Sequence, residues 1–189
     1  MCQRPSPLGL THPGCLTPHA ADGLVSILNY RDQRVADVII AGKYHSLPGA
    51  FEELGKFAAD KIPQLMPQLK LAGAVLVPLP LHPRRLRWRG FNQAAILCES
   101  IGPKLDLPAM AALIRVKPTK TQKDLDKERR VKNIAGAFAI NPSLKPLIAN
   151  KDAILVDDVV TTGSTLQEAA KVLKRNGAKR VFCLTIAKD

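Results

Sequence analysis

Short apolar runs alternate with amphipathic segments along most of the chain, a pattern typical of an α/β fold. The runs at residues 74–77 and 153–156 are short and rich in β-branched side chains, which predicts buried strands of a parallel sheet. Residues 24–30 and 180–186 predict two further strands. Apolar residues at helical spacing predict helices over residues 35–42, 51–62, 91–101 and 166–176. Strands and helices in this order predict right-handed β-α-β units, with a Rossmann-like parallel sheet flanked by helices.

Proline, glycine and polar runs interrupt this pattern. Residues 1–22 are rich in Pro, Gly and Thr and predict a small irregular N-terminal segment, followed by one domain over residues 23–189. We expect Pro63 to end or bend the second helix, and Gly102-Pro103 to stop the third. Residues 78–90 are predicted to form a basic loop. Residues 115–132 are polar and without an apolar stripe, so we expect a mobile loop there.

Composition narrows the class of protein and of partner. The chain has 189 residues, 46% of them hydrophobic, enough for one compact domain. Its formal net charge of +12 should attract polyanions, and nucleic acid or a phosphorylated metabolite suits that sign equally well. No run approaches the roughly 20 apolar residues of a membrane span, and prolines replace the apolar core of a signal peptide. We therefore expect a cytoplasmic protein without membrane insertion.

The segment 153–165 carries the clearest chemistry. After the apolar strand come two acids, two apolar residues and the string Thr-Thr-Gly-Ser-Thr, which leads into a helix. Asp157 and Asp158 at the carboxyl edge of a sheet can hold vicinal hydroxyls, directly or through Mg²⁺. The hydroxyls and glycine of residues 161–165 allow backbone N–H groups to wrap an anion at the helix start. We also interpret Thr165 and Glu168 as a capping box.

A plainer interpretation treats these residues as ordinary loop and cap chemistry, because acidic pairs and Ser/Thr/Gly clusters are common at such turns. The complete ordered string favours a binding site over that alternative.

The predicted basic loop places four arginines within six residues, beside a tryptophan. Arginine forks suit pyrophosphate and phosphodiester oxygens, and Trp88 could stack on a base. The alternative is a solvated basic turn with Trp88 packed on the body of the protein. The arginines are Arg84, Arg85, Arg87 and Arg89.

The string at 153–165 resembles the phosphoribosyl pyrophosphate (PRPP) signature of type I phosphoribosyltransferases. The resemblance implies that Asp157 and Asp158 contact the ribose hydroxyls, and that five residues hold the 5′-phosphate: Thr161, Thr162, Gly163, Ser164 and Thr165. In hypoxanthine-type purine enzymes an aspartate that serves the base stands in the place of Thr161. Its absence here argues against that branch.

Nearly the whole chain is similar to the ComF family of competence proteins. The similarity rests on Tyr30-Arg31-Asp32, Gly42-Lys43-Tyr44, residues 77–93 and residues 133–138. It implies a type I phosphoribosyltransferase fold, a pyrophosphate loop after Val77, and a lid at residues 115–132 that closes over the reacting centre. Pyrophosphate would be displaced from the anomeric carbon of a ribose that Asp157 and Asp158 hold. Mg²⁺ and cationic side chains would stabilise the departing pyrophosphate. The cations we expect in this role are Arg84, Arg85, Arg89 and Lys117.

ComF proteins usually open with a zinc module of four ligands. This chain has Cys2, and His12 and Cys15 have the two-residue spacing of a zinc half-site, which makes residues 1–22 a degenerate zinc-ribbon-like segment. His19 could supply the fourth ligand, or a partner of Cys2 could lie upstream of Met1.

Three functions are consistent with these features. The first is a PRPP-binding protein that assists uptake of single-stranded DNA in natural transformation, with competence machinery as a partner and PRPP as substrate or effector. The second is a metabolic transferase that salvages a nucleobase. The third is a sensor that binds PRPP without turnover. No residue identifies the acceptor.

Overall fold

The central sheet has four parallel strands. The computed structural model of the chain describes residues 9–45, 47–67, 71–118 and 133–189. The strands stand in the order β1-β6-β5-β2. They are β1 (Gly23–Asn29), β2 (Val75–Pro78), β5 (Asp152–Val160) and β6 (Arg180–Lys188). Two short strands, β3 (Leu113–Arg115) and β4 (Phe138–Ile140), form a separate antiparallel pair.

Helices cover both faces of this sheet, which confirms the predicted fold class. One face carries α1 (Gln33–Tyr44), α2 (Pro48–Leu65) and α4 (Gln93–Leu105). The other carries α6 (Ser164–Arg175) and the β3–β4 pair. Two short helices, α3 (Pro83–Arg89) and α5 (Lys145–Ile148), lie in connections.

Alternation along the strands divides the core into two layers. In β5, Ala153 and Leu155 pack in the layer beneath α6, whereas Ile154 and Val156 pack in the layer beneath α2 and α4. All four side chains are fully buried. Successive residues of a strand point to opposite faces, so a strand buried on both faces is apolar at every position. This explains the uninterrupted apolar run at 153–156.

The two internal prolines did not end their helices where we expected. Pro63 lies inside α2, which continues to Leu65, and Pro103 lies inside α4, which continues to Leu105. A proline removes one backbone donor, and tertiary packing can offset that loss. In α2 the last turn is held by fully buried Ile62, whose carbonyl accepts the N–H of Met66 at 2.9 Å.

The predicted basic loop is wrong over residues 83–89, which form α3. Pro83 occupies the first turn, and the Nδ1 atom of His82 accepts the backbone N–H of Arg84. These two features begin a helix, and Gly90 ends it in the left-handed conformation.

The N-terminal segment is irregular and docked over its described part, residues 9–22. The backbone N–H of Thr11 bonds to the carbonyl of Asp22 at 2.8 Å, and Ala21 is fully buried. The Asp22 carboxylate accepts the N–H of Val181 and pairs with Lys174, both at 2.7 Å. A domain division after residue 22 stays a prediction. None of the helices in the described ranges has both the length and the apolarity that a bilayer crossing requires.

Candidate functional site

A hollow opens where β5 passes into α6. Sheets of this kind bind ligands at the carboxyl ends of their strands, which is where the hollow lies. The lining residues are Asp157, Val159, Val160, Thr161, Thr162, Gly163, Thr165 and Leu166.

The turn before α6 presents a helix start to the hollow. Gly163 is the N-cap residue and has φ of 73°, a left-handed conformation that favours glycine. No side chain in the described part of the chain caps α6 at this residue. The Oγ atoms of Thr162 and Ser164 lie 3.0 Å apart and so hold the turn together. An α-helix start carries backbone donors and a positive dipole end, which together favour an anion.

The predicted capping box is wrong. The helix begins at Ser164 with Gly163 as its cap, so Thr165 is already helical. The Glu168 carboxylate instead accepts the backbone N–H of Gly136 at 2.8 Å. This bond ties α6 to the segment that leads into β4.

The two acids lie on the strand rather than on a loop, since β5 extends to Val160. Their side chains therefore point to opposite faces of the sheet. Asp157 is half-buried and lines the hollow. Asp158 has 4% of its surface exposed and points towards α1 and α4. The two carboxyl groups nevertheless lie close enough to hydrogen-bond to each other.

A chain of polar side chains surrounds Asp158. The ammonium of Lys43, at the end of α1, forms an ion pair with its carboxylate. The amide nitrogen of Gln93 lies 3.4 Å from Asp158 Oδ1. Arg89 Nη1 in turn donates to Gln93 Oε1 at 2.6 Å. The network connects α1, α3 and α4 to the strand that carries the acids.

The environments of the two acids shift their pKa values in opposite directions. Burial, then the adjacent charge of Asp158, raises the pKa of Asp157 well above its ordinary value. Burial also acts to raise the pKa of Asp158, but the charge and hydrogen bond of Lys43, together with bonds to Asp157 and Gln93, outweigh it and lower that pKa. Asp158 is therefore the ionised member of the pair, whereas Asp157 holds a proton to higher pH.

The predicted cations divide into two groups. Burial lowers the pKa of Arg89, and the charges of Asp158 and Asp157 oppose that shift, so this guanidinium lies near both acids. Arg85 lies close enough to Arg89 to lower its pKa further. Arg84 is solvent-exposed. Lys117 Nζ lies 3.5 Å from the carbonyl of Ala135, outside the lining of the hollow.

Three residues of the site were missed by the sequence analysis. Lys43 and Gln93 contact Asp158, and Arg115 is a buried arginine that feels the charges of Asp157 and Arg85. Gln93 had a detectable signal, because it lies one turn before Leu97 on the buried stripe of α4. Lys43 belongs to the Gly42-Lys43-Tyr44 segment of the family resemblance and Arg115 to the predicted lid, but neither segment indicated a contact with β5, which arises from tertiary packing.

The predicted zinc ligands are only partly within the described residues. Cys2 lies outside them, as do residues 119–132 of the predicted lid. His12 and Cys15 flank a 3₁₀ turn over Pro13–Cys15. Within residues 9–45, 47–67, 71–118 and 133–189, no three side chains of metal-binding type come together. The zinc site, with His19 as an added ligand, stays a prediction.

Comparison with known proteins decides the family. The phosphoribosyl transferase domain family matches residues 96–189, which include β5, the hollow and α6. Competence protein F of Haemophilus influenzae is 40% identical over 115 residues, covering 60% of this chain and 49% of that protein. These matches confirm the predicted resemblance to the ComF family of phosphoribosyltransferase-like proteins.

Two other curated relatives match this chain at similar identity. The DNA utilization protein YhgH of Escherichia coli is 39% identical over 112 residues, covering 58% of this chain and 48% of that protein. Competence protein ComFC of Bacillus subtilis is 38% identical over 103 residues, 54% of this chain and 39% of that protein. The chain spans about half the length, or less, of the curated relatives it matches.

A solved structure of glutamine PRPP amidotransferase from B. subtilis, complexed with ADP and GMP, superposes with a TM-score of 0.44. It is 15% identical and covers 71% of this chain and 25% of that chain. A likeness at this score supports no assignment by itself.

Proposed function

We propose that this ComF-family chain binds PRPP and transfers its phosphoribosyl group, and that it assists the handling of single-stranded DNA during natural transformation. One observation carries the first part. A glycine-capped helix start and a half-buried carboxylate, Asp157, line the same hollow. That pairing offers backbone donors to a phosphate and an acceptor to a hydroxyl on the same hollow.

The residues present fit a magnesium-assisted substrate. Mg²⁺ is usually held in proteins by one or two carboxylates together with substrate phosphates, and Asp157 supplies such a carboxylate here. When bound, the ion would neutralise charge on the departing pyrophosphate. Asp158 is paired with Lys43, so it would reach a ribose hydroxyl or Mg²⁺ only after Lys43 moves away.

Backbone and side-chain groups of the protein would contact the other parts of PRPP. Backbone N–H groups at residues 163–165 would hold the 5′-phosphate, and Asp157 would accept a ribose hydroxyl. Arg89 and Arg115 lie near the acids, with Arg85 beside them, and these three cations would stabilise the negative charge on pyrophosphate as it leaves the anomeric carbon. Arg84 and Lys117 are further candidates for that charge if the segments that carry them close over the substrate.

The DNA-handling part is supported by charge and by family. The net charge of +12 favours a polyanion, and relatives carry the names competence protein F and DNA utilization protein. We place the protein in the cytoplasm, where PRPP is available, in contact with competence machinery.

Isothermal titration with PRPP and Mg²⁺ tests the binding claim. We expect saturable binding that Asp157→Asn weakens by roughly 10–100-fold, because a hydrogen bond to a charged group contributes about 1.5–3 kcal/mol. A Glu53→Gln variant, exposed on α2, is the matched control and should bind as the wild type does. Undiminished binding by Asp157→Asn would contradict the proposed site.

Release of pyrophosphate separates the candidate activities. Turnover with a nucleobase as acceptor would indicate salvage. Binding without turnover, across bases and DNA ends as acceptors, would indicate a sensor and would reject the transferase proposal.

A further inference from the structure

An exposed pair of aromatic rings lies beside the site. Tyr44 ends α1 with 56% of its surface exposed, and Trp88 on α3 is 67% exposed. Their ring centroids are 5.9 Å apart at an interplanar angle of 64°. Single exposed apolar residues are ordinary, but two large rings that contact each other in solvent form a patch. The expected packing of Trp88 on the body of the protein is therefore wrong.

The sequence of α3 gives this helix two basic faces. At 3.6 residues per turn, Arg84, Arg87 and Trp88 share one side, whereas Arg85 and Arg89 share another. On the second side Arg89 donates to Gln93, whose amide nitrogen lies 3.4 Å from Asp158 Oδ1, whereas Arg85 is exposed. The first side is exposed and carries the tryptophan. No acidic residue occurs within Pro83–Arg89 to offset these charges.

We propose that Tyr44 and Trp88, flanked by Arg84 and Arg87, form a stacking platform for the bases of single-stranded nucleic acid. The inference deepens the DNA-handling part of the proposed function and rests on it. Aromatic side chains stack on unpaired bases of any sequence, and neighbouring cations neutralise the phosphates between them. A duplex keeps its bases stacked on each other and so offers less to the rings.

The platform adjoins the sugar site through the chain itself. Tyr44 follows Lys43, which pairs with Asp158, and Trp88 precedes Arg89, which bonds to Gln93. A strand on the platform would pass beside the position where a phosphoribosyl group is held.

Trp88 is the only tryptophan in the chain, so its fluorescence reports the platform directly. We expect oligothymidylate of about 12 nucleotides, within the roughly 4–16 nucleotides of single-strand sites, to quench this emission. With a labelled oligonucleotide and anisotropy detection, Tyr44→Ala and Trp88→Ala should each weaken binding by roughly 5–100-fold. Trp88→Phe should retain most of the affinity, because it retains a ring.

Controls separate stacking from charge and from misfolding. Phe57→Ala removes another exposed aromatic that has Lys61 over its ring, and it should leave the affinity unchanged. Arg87→Ala should lower the slope of log affinity against log salt by about 0.7, whereas Trp88→Ala should leave that slope as it is. Oligouridylate, measured in parallel, shows whether DNA or RNA is the preferred strand.

Several results would overturn the platform. They are unchanged affinity in Tyr44→Ala and Trp88→Ala, equal binding of a duplex, or displacement of the oligonucleotide by polyglutamate at matched charge. PRPP titrations of the same variants keep the two claims apart. Wild-type protein that binds oligonucleotide and not PRPP refutes the sugar site alone, and the reverse result refutes the platform alone.

Discussion

The neighbouring acids of β5, Asp157 and Asp158, differ in burial and in the direction of their pKa shifts. On one face Asp157 is half-buried, lines an open hollow and has a raised pKa. On the other face Asp158 is buried against Lys43 and has a lowered pKa. Side chains at adjacent positions of a strand leave the sheet in opposite directions. The two carboxyl groups still hydrogen-bond to each other, so their environments differ but are linked.

This difference assigns different work to the two acids. The Asp157 face is available to a ligand, whereas the Asp158 face joins α1, α3 and α4 by charge and hydrogen bonds. We infer that Asp157 acts on the ligand and that Asp158 chiefly positions the surrounding helices. Measuring both the free energy of unfolding and the PRPP affinity of variants tests whether the two acids have these different roles.

The largest effect on stability should come from Asp158→Ala. The change leaves the Lys43 ammonium, whose side chain is 18% exposed, without its carboxylate. Breaking a buried ion pair from one side costs about 3–5 kcal/mol, and we expect about 3 here because Lys43 keeps some contact with solvent. Urea denaturation measures the free energy of unfolding.

Two comparisons accompany that measurement. Asp157→Ala should lower the free energy of unfolding by about 1 kcal/mol or less, because the loss of its hydrogen bonds to Asp158 is offset by relief of the repulsion between the two acids. The double variant Lys43→Met/Asp158→Leu should recover most of the stability. Equal losses for the two single variants would contradict the division of roles.

A moderate effect should follow Gly42→Ala, which disturbs the approach of α1 to α2. A Cβ atom at Gly42 would lie 2.7 Å from Cε2 of Phe51, a fully buried ring. Overpacking costs about 1–3 kcal/mol, partly offset by the roughly 1 kcal/mol gain of alanine in a helix. We expect a net loss of about 1 kcal/mol in the free energy of unfolding, measured by urea denaturation.

The control for this substitution is Gly49→Ala in the first turn of α2. A Cβ there would meet nothing within 4 Å. Its free energy of unfolding should stay the same or rise slightly. A Gly42→Ala variant as stable as this control would show that α1 does not depend on the close contact.

The smallest effects should be two opposite pH dependences. Folded protein holds a proton on Asp157 above the ordinary aspartate pKa of about 4, so that acid lowers stability as pH rises through this window. Asp157→Asn should therefore gain relative to the wild type as pH rises. Asp158 stabilises above the same pKa and loses its contribution as pH falls through its lowered pKa. The cost of Asp158→Asn should accordingly shrink in acid.

Denaturation curves across pH check both slopes. Parallel profiles for the two variants would mean that their carboxylates share one environment.

Sequence patterns predicted the elements well where local rules decide. Apolar runs located all four strands of the main sheet, and the order of elements indicated its parallel arrangement. Sequence patterns failed to predict the ends of elements that tertiary contacts determine. Buried Ile62 and Met66 carry α2 past Pro63, and the strand continues through the acids to Val160 because β6 pairs alongside it.

The site was predictable in part for the same reason. The lining of the hollow is contiguous in sequence, so the motif contained it. Lys43 and Arg115 come from distant segments, and nothing in their neighbourhoods indicates that the fold brings them to Asp158 and Asp157.

PRPP titration of two matched glycine variants tests whether the start of α6 holds the phosphate of the ligand. Gly163 and Gly177 flank α6 at its two ends, both with positive φ, and only Gly163 lines the hollow. Alanine at either position should cost about 1–2 kcal/mol of stability, the strain of a left-handed L-residue. We predict that Gly163→Ala weakens PRPP binding by about tenfold or more, whereas Gly177→Ala binds PRPP as the wild type does. Equal affinities in the two variants would contradict a phosphate cradle at the start of α6.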